Sequence, residues 1–155
     1  VLKDVTFHLV GGTLKDYEYW SDIIKNKKMD NIFLYGFKTP KEVVKYRNSF
    51  DIFLAPYAKQ VSVSGNSGDT SKFMSPLKIF EYMAHKKVII SSDLPVLREV
   101  LNETNSILVN PENSIEWIEA IKKLKDENLR EKLSNQALSD FQKYTWKNRA
   151  NSIIK

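Results

Sequence analysis

Residues 75–95 read Ser75-Pro76-Leu77-Lys78-Ile79-Phe80-Glu81-Tyr82-Met83-Ala84-His85-Lys86-Lys87-Val88-Ile89-Ile90-Ser91-Ser92-Asp93-Leu94-Pro95. The first half is helical. Ser75 suits an N-cap and Pro76 the first helical position, which predicts a helix over Pro76–His85. Lys78, Glu81, Tyr82 and His85 then share one face, while Leu77, Phe80 and Ala84 form another that suits a core. Val88–Ser91 is a short apolar run with β-branched residues and predicts a strand. Pro95–Leu101 begins another helix, with Asp93 expected to cap or turn the chain into it. Helix, buried strand, helix is the repeating unit of an α/β fold.

The same alternation extends outward on both sides. Upstream, Val5–Val10, Asn31–Tyr35 and Ile52–Ala55 read as strands closed by Gly11-Gly12, Gly36 and Pro56. Leu14–Lys28 and Pro40–Asn48 read as helices between them, the second with Thr39 placed to cap it. Downstream, Ser106–Val109 is a fifth strand, followed by helices over Ser114–Lys125, Asn128–Lys143 and Trp146–Lys155. The strands are nearly continuous apolar runs, as expected where helices cover both faces of a parallel sheet. The predicted fold is therefore a Rossmann-like, doubly wound parallel sheet of about five or six strands. Such sheets bind ligands beyond the C-terminal ends of their strands. That rule directs attention to Gly11–Thr13, Gly36–Thr39, the polar segment Tyr57–Met74, the start of the Pro76 helix, Ser92–Pro95 and Asn110–Asn113.

Composition narrows the chemistry. A chain of 155 residues with 42% hydrophobic and 28% charged residues fits one domain, 1–155. It has no cysteine, which excludes a disulfide scaffold, an iron–sulfur site and a cysteine nucleophile. Its two histidines, His8 and His85, lie far apart, so no histidine-rich metal site is expected. His8 falls within a strand and reads as a packed histidine rather than a base. The net charge of +5 mildly favours anionic partners, but the lysines are dispersed, so no nucleic-acid partner is expected. No apolar run approaches a membrane span and no signal peptide opens the chain, which begins Val1-Leu2-Lys3-Asp4. The expected setting is cytoplasmic, with peripheral association at the cytoplasmic membrane face left open for the full protein.

Taken together, the segments resemble the C-terminal half of a GT-B glycosyltransferase of the large family known as family 4 or group 1. Ser49-Phe50-Asp51-Ile52-Phe53-Leu54-Ala55-Pro56 is similar to its "x-A-D-V-F-V-x-P-S" stretch. Residues 76–95 are similar to "P-L-K-x-x-E-Y-M-A-x-G-K-P-V-I-A-S-D-x-P". Val5–Gly12, Asn31–Phe37, Leu97-Arg98-Glu99-Val100 and Tyr144-Thr145-Trp146 also fit. The resemblance covers nearly the whole chain and is most specific over Asp51–Val100.

The resemblance implies that this chain is the donor half of an enzyme that transfers a sugar from a nucleoside-diphosphate sugar to a glycan or lipid-linked acceptor. Retention of configuration is implied, with no metal and no cofactor. Glu81 falls at the family's ribose-binding glutamate. Gly12, Ser75, Leu77 and Lys78 fall at the diphosphate, Pro76 having no amide to offer. Phe37 and Lys38 fall near the nucleobase. A Glu-x7-Glu pair common in the family is broken, because Phe73 stands at the first position. Asp69, Phe73 and Met74 remain the candidates facing the donor sugar. No residue is assigned a catalytic role. The acceptor-binding domain, and the Arg and Lys expected just before the first strand, would lie in an absent upstream segment, so the isolated chain should not turn over. Two alternatives stay open: a GT-B-like nucleotide-binding module without activity, and an unrelated Rossmann-like domain that binds anions.

Overall fold

A computed structural model describes residues 2–59 and 77–153. The chain divides into two compact units, Val1–Ser49 and Phe50–Lys155.

The first unit runs β1 (Phe7–Val10), α1 (Leu14–Asn26), β2 (Ile32–Gly36) and α2 (Pro40–Ser49). β1 and β2 pair in parallel, Phe7 against Ile32 and Leu9 against Leu34, with an irregularity between Leu9 and Val10. Both helices start on the same device. Thr13 and Thr39 are each followed three residues later by an acid, and each pair forms a reciprocal capping box. Asp16 accepts from the Thr13 amide at 2.8 Å, and Glu42 from the Thr39 amide at 2.8 Å. The helix amides bond back to the threonine hydroxyls. The chain before β1 is tied by Asn31, whose Nδ2 donates to the Leu2 and Val5 carbonyls. His8 is half-buried rather than a core residue. Its Nδ1 lies 2.8 Å from the Tyr35 hydroxyl and its Nε2 2.9 Å from Thr6 Oγ1. Its ring stacks on Phe33 and Tyr35.

The second unit runs β3 (Ile52–Ala55), α3 (Leu77–Ala84), β4 (Val88–Ser92), α4 (Pro95–Arg98), β5 (Ile107–Val109), α5 (Ser114–Lys123), α6 (Glu127–Phe141), a 3-10 turn at Gln142–Tyr144 and α7 (Trp146–Ile153). Its sheet is parallel in the order β3-β4-β5. β4 is central and buried at all five positions, which requires cover on both faces. Ile89 points to the face where Ile79, Met83, Leu97, Leu101 and Ala137 cluster, and Val88 and Ile90 alternate to the other. Ala120, Ile121 and Leu124 are buried along α5 and its C-cap.

The strand–helix alternation is as the sequence predicts, and five strands are present among the described residues. They form two parallel sets, β1-β2 and β3-β4-β5. Asn105 is fully buried and fastens the α4–β5 connection. Its Nδ2 donates to the Val100 carbonyl at 3.1 Å and to Asp140 at 3.0 Å, and its Oδ1 accepts from the Asn102 amide. The Asn105 bond is the main reason the Asp140 carboxyl sits below its usual range.

Candidate functional site

The N-terminal half of α3 carries the residues of greatest interest. Ile79 and Met83, four apart, are fully buried, so they define the inner face. This corrects the expected core face of Leu77, Phe80 and Ala84. Leu77 is 68% exposed and Ala84 is exposed. Phe80 flanks the core and meets Tyr144, with ring centroids 5.1 Å apart. Tyr82 flanks it on the other side, stacked on Phe53 at 4.2 Å. The physical reason is volume: the branched Ile79 and the long Met83 fill the gap against α6 and β4 better than Ala84 could.

With Ile79 and Met83 turned inward, Lys78 and Glu81 are both exposed, one helical step of three residues apart. The amides of Leu77 and Lys78 lie in the first turn, where backbone N–H groups have no partner within the helix and the dipole is positive. A carboxylate one turn beyond such amides can accept from hydroxyls while the amides and the Lys78 ammonium meet a phosphate. Ser75, Asp69, Phe73 and Met74 lie outside the described residues. The helix closes at Lys86, which adopts φ 53° where a glycine would be unstrained.

In the first unit, Gly12 lies in the turn after β1, and Phe37 and Lys38 in the turn after β2. The Gly11 amide donates to the Gly36 carbonyl at 2.9 Å, so the turns after β1 and β2 are neighbours. Gly36 takes φ 62° and delivers Phe37, 77% exposed, and Lys38 past the end of β2. Gly12 takes φ 88°, and a Cβ there would come within 3.3 Å of Asp16 Cβ. Glycine is thus favoured by the backbone, and a side chain there would press on the capping box. Asp16 is held below the usual carboxylate range, chiefly by the Thr13 amide and then by its hydroxyl. An anion approaching Gly12 would meet that charge, whereas no acid precedes Glu81 in α3.

Sequence reading missed the fastening of the strand ends in the second unit. Asp93 does not cap α4. The N-cap is Leu94, with no side-chain bond. The Asp93 carboxylate instead accepts from Arg98 Nε and, at 2.9 Å, from Nη2, while Arg98 Nη1 reaches Glu103 at 2.9 Å. The bidentate Arg98 contact lowers the Asp93 pKa. An acid and an arginine flanking Pro95 was the available signal. Ser92 is also tied in: its hydroxyl donates to the Tyr57 carbonyl at 2.7 Å.

A shallow groove of about 440 Å³ lies elsewhere, against α1 and β2, lined by Tyr17, Ile24, Lys28, Met29, Ile32 and Leu34 among others. It contains none of the residues singled out above. Among the described residues no group of three or more His, Asp or Glu side chains could hold a metal ion. No helix among them is long and apolar enough to cross a membrane.

The sequence model described as "Glycosyl transferases group 1" matches residues 1–127. The chain belongs to this family. No curated protein matches it. Solved structures show the same fold at low identity. Sucrose-phosphate synthase from Thermosynechococcus elongatus is 17% identical with a TM-score of 0.74, over 94% of this chain and 36% of that one. TarM is 19% identical with a TM-score of 0.72, over 99% of this chain and 28% of that one. HepE from Anabaena, solved in complex with UDP, is 16% identical with a TM-score of 0.71, over 91% of this chain and 37% of that one. The chain thus spans between 28% and 37% of the length of these three proteins, and its fold is the Rossmann-like half of a GT-B architecture.

Proposed function

We propose that this group 1 glycosyl transferase chain binds the nucleotide of a nucleoside-diphosphate sugar, as the donor part of an enzyme that passes the sugar to a glycan or lipid-linked acceptor. The observation that carries the reading is that Lys78 and Glu81 are both exposed and three residues apart at the start of α3, on a helix anchored by Ile79 and Met83. Glu81 would accept hydrogen bonds from the two ribose hydroxyls, a charge-assisted contact stronger than a neutral one. The Leu77 and Lys78 amides, with Ser75 before them, would face the diphosphate. As the glycosidic bond breaks, negative charge grows on the leaving diphosphate, and the Lys78 ammonium would stabilise it there. Phe37 and Lys38 are proposed at the base, and Asp69, Phe73 and Met74 toward the sugar. That HepE is solved with UDP and with UDP-glucose supports a uridine nucleotide as the first ligand to try.

Transfer with retention, an acceptor domain in polypeptide beyond these residues, and work at the cytoplasmic membrane face are part of the same proposal. The test is amide chemical-shift mapping with UDP, GDP and ADP in turn. Shifts at Leu77, Lys78 and Glu81 with one base preferred are expected. Glu81→Gln should weaken binding by about 1–3 kcal/mol, the scale of a hydrogen bond to a charged group. Unchanged affinity in a folded Glu81→Gln variant would remove Glu81 from the site.

A further inference from the structure

The end of β4 is unusual for a central strand. After Val88-Ile89-Ile90 come two serines, Ser91 and Ser92, both fully buried. A buried hydroxyl without a partner is unfavourable, so each should have one. Ser91 Oγ has only long contacts, 3.5 Å to the Ala55 carbonyl and 3.5 Å to the Ser92 carbonyl. Ser92 Oγ has a short one, 2.7 Å to the carbonyl of Tyr57.

That bond stands where the backbone ladder has to stop. The β3–β4 register ends at Ala55 opposite Ser91. Pro56 follows and has no amide to continue the pairing. The chain turns tightly there, the Tyr57 amide donating to the Ala55 carbonyl at 3.1 Å. The Ser92 side chain supplies the next link in place of a backbone rung. Two further ties hold the same rim. The Asp93 amide donates to the Val109 carbonyl at 2.7 Å, joining the ends of β4 and β5. Lys59 reaches Glu112, past β5, at 2.5 Å, but both side chains are more than half exposed. An exposed pair of that kind contributes little. Ser92 is the buried side-chain donor of the set.

We propose that Ser92 is a positioning residue for nucleotide binding: its hydroxyl fixes the chain as it leaves β3, at the strand ends where a doubly wound sheet meets its ligand. It touches no ligand itself and acts through the Tyr57 carbonyl. The proposal rests on the donor-nucleotide reading above.

The test compares the wild-type chain with Ser92→Ala, Ser92→Thr and, as a surface control, Glu119→Gln. Two quantities are read: hydrogen exchange of the Tyr57 amide, and UDP affinity by titration. Losing one buried hydrogen bond of ordinary strength should speed Tyr57 exchange and raise the UDP Kd, each by up to about tenfold. Ser92→Thr keeps the hydroxyl and should recover most of both, and Glu119→Gln should change neither. If Ser92→Ala does not fold, Ser92→Cys, close in size with a weak donor, carries the same two readouts. Unchanged Tyr57 exchange would show that the bond does not hold the turn. Faster exchange with wild-type UDP affinity would make the bond structural only. Either result overturns the proposal. A wild-type chain that binds none of UDP, GDP and ADP overturns the donor reading as well, and is told apart because the failure is already present before any substitution.

Discussion

In the unit Phe50–Lys155, β4 is buried along its whole length and Ile79, Met83, Ile89, Leu97 and Leu101 close around it. In the unit Val1–Ser49 no described side chain is fully buried, although strand and helix alternate in the same way. Leu14 is 74% exposed there, and Tyr17, Tyr19, Trp20 and Phe33 are all partly open. Three strands with helices on both faces enclose an interior, whereas the pair β1-β2 with α1 and α2 does not. The first unit is held by local devices instead: two capping boxes, the Asn31 tie to Leu2 and Val5, and the Thr6–His8–Tyr35 chain. The lesson is that one pattern of apolar residues gives a core only when enough layers are present to close over it.

The sharpest way to break this comparison is truncation of apolar side chains. Ile79→Ala or Leu97→Ala should lose about 2–5 kcal/mol in urea unfolding, through lost burial and the cavity left behind. Leu14→Ala should stay within about 0.5 kcal/mol, as a surface change. Equal losses would mean that the first unit hides a core of its own. Next in size are the caps. Thr13→Ala and Thr39→Ala should each reduce stability by about 1 kcal/mol, seen by the same unfolding and as faster amide exchange in the first turns of α1 and α2.

A smaller effect of opposite sign is expected where each unit ends a helix on a lysine in the left-handed region, Lys28 at φ 49° and Lys86 at φ 53°. Lys28→Gly and Lys86→Gly relieve that strain but free the unfolded chain, for a net gain of about 0.5 kcal/mol in thermal unfolding. A loss at Lys86 with a gain at Lys28 would show that the lysine side chain contributes after α3.

The smallest expected effect concerns acid. Arg98 lowers the Asp93 pKa below its ordinary 3.8, so the folded state holds that proton less tightly than the unfolded chain does. The resulting stabilisation is fully present above the ordinary value and is lost as pH falls through the lower folded one. Wild type should therefore lead Asp93→Asn at neutral pH, and the lead should close below about pH 4. The pair is part-exposed and screened, so the lead is small. A lead that widens in acid would contradict the assignment.

Most strands and helices were legible because each is written locally. Pro40 behind Thr39, Pro56 after Ile52–Ala55 and Gly36 after β2 are punctuation that acts within a few residues. The Thr13–Asp16 box is equally local, a T-x-x-D written within four residues directly after Gly11-Gly12. The face of α3 was not legible. Leu77, Phe80 and Ala84 form as plausible a stripe as Ile79 and Met83 until α6 and β4 are in place, and a helix of eight residues is too short for periodicity to choose.

The sequence by itself determined the α/β alternation, the family to which the chain belongs and the placing of Lys78 and Glu81 one helical step apart, since all three rest on residues near in sequence. Only the tertiary structure decided which side of α3 faces the core. It also decided that Asp93 serves Arg98 rather than α4, and that Ser92 reaches back to Tyr57. The Ser92 bond joins residues 35 positions apart, and the packing of α3 depends on α6, far along the chain. No local pattern encodes such partners, because burial is a property of the assembled layers and not of any one segment.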